Sequence, residues 1–156
     1  MSADSRRHAE QATKLMTGNA HLRVAWWRSQ RQMVDLDSEY GGSYWLPIVG
    51  PTCYLLARSL GNALARTPET AHPITVPTSR MAESLGIGES LGPHAPLVRS
   101  VARLALFDLA MPDDDVLMLC TGWPLLSHRQ HRRLPAWLAE QHSHDLAHMM
   151  DARRSA

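Results

Sequence analysis

Three groups of residues in this sequence have the types and spacing that chemistry requires. The run Gly88-Glu-Ser-Leu-Gly92 matches G-x-S-x-G, the turn that lifts a serine hydroxyl above a buried strand in hydrolases. Residues 79–85 ahead of it read as a helix rather than a strand, so Ser90 is expected to be a loop residue and not a nucleophile. The overlapping Gly86-Ile-Gly-Glu-Ser-Leu-Gly92 comes close to a dinucleotide-binding loop, but its final spacing is wrong and again no strand precedes it. Histidine supplies the second group: of nine in the chain, five fall between His128 and His148. On a helix, Glu140, His144, His148 and Asp151 would project from one side and offer two imidazoles and a carboxylate to a zinc ion. No H-E-x-x-H core or neighbouring cysteine pair accompanies them, and Trp137 shares their face, so a solvated helix without metal is expected. The third group is the densest basic patch, Arg129, Arg132 and Arg133 with His128 and His131, which suits either phosphate contact or a solvated face.

A chain of 156 residues, 44% hydrophobic and 20% charged, has the size and makeup of one globular domain with helical extensions at its ends. That length buries a core without disulfides or a structural metal. Sixteen basic against fifteen acidic side chains leave no whole-molecule field to announce a nucleic-acid or membrane partner. Arginine outnumbers lysine fifteen to one, a skew that reflects a GC-rich genome as readily as phosphate binding. Cys53 and Cys120 alone exclude a disulfide scaffold and a cysteine-rich zinc module. The longest uncharged run, residues 41–57, is interrupted by Pro47 and Pro51 and is too short to span a bilayer, and the N-terminus lacks the apolar core of a signal peptide. The expectation is a soluble, cytoplasmic chain.

A first helix capped by Asp4 or Ser5 is predicted to run to about Met16, with Thr17-Gly18-Asn19 as its stop. A second is predicted from about Ala20 to Leu36, with Leu22, Trp26, Met33 and Leu36 on one stripe and Val24, Trp27 and Val34 on another. Gly41-Gly42 is the best candidate boundary, separating an extension over 1–40 from a domain over 44–122 and a second extension over 123–156. Pro51 opens a helix through about Arg66, Ile74-Thr-Val is a short strand, and Thr78 or Ser79 caps a brief helix ending at Gly86. Pro96 opens another, with Leu97, Val98, Val101, Leu104 and Ala105 on its apolar side and Arg99, Ser100 and Arg103 on its polar side. Two apolar runs around Pro112-Asp-Asp-Asp115 form a hairpin, Ser127 caps a short helix, and Pro135 starts a last one to about Asp151. The fold class is mainly α with a small β-hairpin.

The order helix, strand, helix, turn, helix, hairpin resembles a winged helix-turn-helix domain. Met81-Ala-Glu-Ser-Leu-Gly-Ile87, Leu97-Val-Arg-Ser-Val-Ala-Arg-Leu104 and Phe107-Asp-Leu-Ala-Met111 carry the resemblance, over about half of the chain. Tyr44-Trp-Leu-Pro-Ile-Val-Gly-Pro-Thr52 is also similar to small uncharacterised actinobacterial proteins of this kind, often from mobile elements. The resemblance implies a DNA-binding regulator without an enzymatic step or cofactor. It would place the helix from Pro96 in a major groove, with Arg99, Ser100 and Arg103 on bases or phosphates. Ser79 and Arg80 would hold a phosphate at the start of the preceding helix, with His94 joining from the turn. The acidic hairpin tip would repel the duplex, leaving the patch of Arg129, Arg132 and Arg133 to grip phosphates where the wing does not.

In the N-terminal forty residues, Arg6, Arg7, Lys14, Arg23, Arg28 and Arg31 surround Trp26-Trp27. On a helix, adjacent indoles point about 100° apart, so one of them is expected at an interface, giving a homodimer. The rival reading keeps the fold but makes it a protein-interaction adaptor, docking through Trp26 and Trp27 or through the acidic hairpin.

Overall fold

Helix α1 (Ala3–Met16) begins where Ser2, in extended backbone, accepts the Ser5 N–H on its hydroxyl at 3.0 Å. Ala12 and Met16 are fully buried, and the chain leaves the helix through Gly18 at φ +70°, a conformation glycine adopts without steric cost. The computed structural model describes residues 1–156. It divides into two units, Met1–Pro124 and Leu125–Ala156.

The helix expected over residues 20–36 is absent; strands β1 (His21–Trp27) and β2 (Met33–Asp35) stand in its place. Leu22 and Val24 are fully buried while His21 is exposed and Arg23 half-exposed, the two-residue alternation of a strand. On so short a segment, that alternation and the apolar stripe of a helix draw on the same residues. Pairing from both sides decides between them. β3 (Ile74–Pro77) runs antiparallel to β1, and β5 (Val116–Cys120) runs parallel to it. The sheet has the order β3-β1-β5-β4, where β4 (Ala110–Asp113) and β5 form the expected hairpin. Asp114, at φ +50°, turns it. The candidate boundary at Gly41-Gly42 therefore lies inside the first unit, whose sheet takes its second strand from the N-terminal forty residues.

Residues 41–45 form a π-helical turn leading into the short α2 (Leu46–Val49) and then α3 (Pro51–Ala65). Gly50, at φ +87°, breaks the two apart, and Pro51 sits in the first turn as expected. Gly41 is there because a Cβ would overlap the indole of Trp123. Trp123 lies on β6 (Gly122–Pro124), which pairs with β2. Its Nε1 donates to Leu36 O at 3.0 Å, Trp45 Nε1 donates to Pro124 O at 2.8 Å, and the Tyr54 ring stacks on Trp123 at 5.3 Å. Thr78 starts α4 (Thr78–Leu85), its hydroxyl donating to Asn19 O at 2.9 Å, and Gly86 closes the helix in the left-handed conformation. α5 (Pro96–Leu106) follows, with Leu97, Val98, Val101, Leu104 and Ala105 buried as expected.

In the second unit, Ser127 caps α6 (His128–His131). Its hydroxyl accepts from Gln130 N at 3.2 Å, and the Gln130 side chain accepts from Ser127 N at 2.9 Å. Pro135 precedes the long α7 (Ala136–Arg154), on which Leu138 and His142 are buried. The molecule is mixed α/β with helices predominating, and no helix is long and apolar enough to cross a membrane.

Candidate functional site: the polar stripe of α5

α5 presents Arg99 and Arg103 on its exposed side. Ser100 does not join them. It lies three residues past Leu97 and four before Leu104, on the buried stripe, and its hydroxyl donates to Pro96 O at 2.8 Å. Ser100, expected on the polar side, is therefore part of the packed side of α5.

The two arginines have different fates. Arg103 donates from Nε to Val49 O at 2.7 Å and from Nη2 to Ile48 O at 2.9 Å, and its guanidinium lies 5.2 Å from the Phe107 ring centre. These are the carbonyls at the end of α2, left without helical partners by the break at Gly50. Arg103 is thus a positioning residue for the α2–α3 corner. The Arg99 guanidinium is exposed and makes no hydrogen bond or ion pair within the chain. Arg103→Ala is expected to lower the stability of the first unit by about 1–2 kcal/mol, below the range for a charge-assisted pair of bonds because the side chain is exposed. Arg99→Ala should leave stability unchanged within about 0.5 kcal/mol. Denaturant melts of the two variants check this.

α1 runs antiparallel along α5 and is tied at both ends. The Ser5 hydroxyl lies 3.0 and 2.9 Å from the two carboxylate oxygens of Asp108, just past α5, and Gly18 N donates to Leu91 O, just before it. Between α1, the 49–53 corner and α5 lies a cleft of about 520 Å³. Ala9 and Thr13 form one wall, residues 49–53 the other, and Arg99, Ala102, Arg103 and Leu106 the floor. No carboxylate lines it. Cys53, at its edge, donates its thiol to Ser100 O at 3.6 Å, and burial pushes that thiol up to about 12 despite the nearby Arg103 charge. It is a packing residue, not a nucleophile. Burial likewise raises the Cys120 thiol to about 11.

Ser79, Arg80 and His94 are exposed, and the Arg80 guanidinium has no partner within the chain. Ser90 lies in exposed coil after a helix, without the strand that a nucleophile elbow needs. At the hairpin tip, Asp113 and Asp114 are exposed, and Asp115 pairs with Arg23 at 2.7 Å. The Arg23 hydrogen bond holds the Asp115 carboxyl below its ordinary value.

Trp26 and Trp27 alternate across β1 instead of diverging around a helix. The Trp26 ring edge packs beside Gly61 of α3, and Trp27 lies beneath the Arg31 guanidinium at 5.2 Å. Both indoles are engaged within their own chain and half-buried. The large apolar residue most open to solvent is Trp137, at 67% exposure.

In the second unit, Arg129, Arg132 and Arg133 are exposed on and after α6. His131 Nε2 lies 3.0 Å from Ala139 O, and its ring is 5.1 Å from that of His142. His144 and His148 approach with Nε2 atoms 3.3 Å apart, but no third ligand joins them: no group of three or more His, Cys, Asp or Glu is arranged to hold a metal ion. Burial, reinforced by His131 and opposed by Asp145, holds the His142 imidazole below its ordinary value of 6.5. Below about pH 6.5 the unfolded segment therefore binds more protons than the folded one, and stability falls as pH drops toward the lowered folded value. Amide exchange around His142, corrected for intrinsic rates, should speed up between about pH 7 and pH 5.5, and His142→Gln should flatten that dependence.

The residues missed from sequence are those of α1 that wall the cleft. A signal was present: Ala9, Ala12 and Met16 recur at helical spacing and mark an apolar face, on which the structure buries Ala12 and Met16 completely. Comparison with known proteins finds no matching family model, no matching curated protein and no matching solved structure.

Proposed function

We propose that this chain is a small cytoplasmic DNA-binding protein of the regulator type, built on winged-helix order and working without an enzymatic step or cofactor. The observation that carries the reading is that Arg80 and Arg99 stand exposed and unpaired on consecutive helices, α4 and α5. The order α3, β3, α4, α5, β4, β5 supports it. Three features depart from the usual pattern: β1 lies between β3 and β5, the connection from Gly86 to Ala95 is longer than the few residues of a tight helix-turn-helix, and α1 packs along α5, so that Arg99 lies on the floor of a cleft. The duplex contacts we assign are Ser79 and Arg80 at the start of α4, His94 before α5 and Arg99 upon it. Ser100 and Arg103 leave the contact set because both are spent inside the protein. Trp26 and Trp27, engaged within the chain, no longer argue for a dimer.

Fluorescence anisotropy with a labelled random-sequence duplex tests the reading. With two phosphates neutralised, the affinity should fall about twelvefold between about 50 and 200 mM salt. No binding at the lower salt would refute it. An adaptor remains the second reading, favoured by the exposed and unpaired Asp113 and Asp114 at the hairpin tip, which repel a duplex and suit a basic protein surface.

A further inference from the structure

We infer that the cleft between α1, the 49–53 corner and α5 binds a small organic oxyanion, a carboxylate or phosphate monoester carried on an apolar body. Its volume of about 520 Å³ falls in the range of small-ligand sites. Its charge is all of one sign: two guanidinium groups and no carboxylate line it.

Arg103 is pre-set for this task. The carbonyls of Ile48 and Val49 commit its Nε and Nη2 and fix the plane of the guanidinium, leaving Nη1 uncommitted. Arg99, one turn earlier on the same helix, brings a second and wholly uncommitted fork. The wall formed by residues 49–53 adds the Thr52 hydroxyl, whereas the Thr13 hydroxyl on the opposite wall is committed to Ala9 O at 3.1 Å. The first turn of α3 also faces the cleft, with Gly50 in place of a capping side chain, so its positive dipole end adds to the arginine field. Ala9, Ala102 and Leu106 give the remaining lining an apolar character that a bare inorganic ion would leave unused. The walls do not depend on a ligand to stay in place, since α1 is tied to the chain at both ends of α5.

This inference does not rest on the duplex reading, although Arg99 serves both. Calorimetric titration of the full chain with phenyl phosphate, benzoate and inorganic phosphate tests it. At least one of the two aromatic anions should bind about tenfold or more tightly than inorganic phosphate, because the ring is taken out of water. The tighter of the two names the headgroup. Arg99→Ala, at an exposed unpaired position that the fold does not use, should weaken that binding at least about tenfold. Arg80→Ala should leave it unchanged while weakening duplex binding, which separates failure of one reading from failure of the other. Absence of binding by both aromatic anions overturns the inference. So does binding that survives Arg99→Ala, or an affinity no better than that of inorganic phosphate.

Discussion

Trp123→Ala should destabilise the Met1–Pro124 unit by about 3–5 kcal/mol, the range for removing a large aromatic from a packed core. Trp123 is fully buried and sits where three otherwise separate segments meet. Its strand, β6, pairs with β2; its indole faces Trp45 at 6.1 Å and Tyr54 at 5.3 Å; and its Nε1 satisfies the carbonyl of Leu36. Truncation leaves a cavity and an orphaned buried carbonyl together. For a domain whose whole stability is about 5–15 kcal/mol, the loss is a large fraction. Trp123→Phe retains most of the ring contact and loses the hydrogen bond, so its cost should be about 1–3 kcal/mol. Urea midpoints of the two variants at constant m-value provide the check, and a loss under about 1 kcal/mol for the alanine variant would contradict the packing described.

The second large effect concerns binding. Arg80→Ala and Arg99→Ala each remove an exposed guanidinium with no partner in its own chain, and each should weaken duplex affinity about tenfold or more. Each should also make the slope of log affinity against log salt shallower by about 0.9, the signature of one lost phosphate contact. Because the arginines lie on different helices, their effects should combine additively in the double variant. Arg103→Ala makes a poor probe of the same surface: it strips the α2 carbonyls of their partner, so reduced binding would mix a loss of contact with a loss of structure. Retention of full affinity by the double variant would remove α4 and α5 from the interface.

The elements with their own local punctuation were legible in the sequence. Pro51 and Pro96 mark two helix starts, Gly86 a left-handed helix end, and the aspartates after Pro112 a hairpin turn, all of which the structure contains. The buried stripe of α5 followed from spacing alone. Residues 21–27 were not legible, because their strand identity is set by partners far along the chain, Ile74–Pro77 and Val116–Cys120. Those pairings override a local pattern that fits either period. The same non-local cause hid the roles of Arg103 and of the α1 wall. The partners of Arg103 are backbone carbonyls exposed by a helix break, a feature with no side-chain signature. Ser100 is the instructive case, since its polarity suggested the outer face while its position, between Leu97 and Leu104, dictated the inner one.

Amide chemical-shift mapping of the full chain during titration with a duplex tests the central claim most directly. The account predicts shifts concentrated at the start of α4, around Ser79 and Arg80, and from His94 to Arg99, with the hairpin tip at Asp113–Asp115 unmoved. Shifts confined to the tip, or spectra unchanged at duplex excess and low salt, would contradict it.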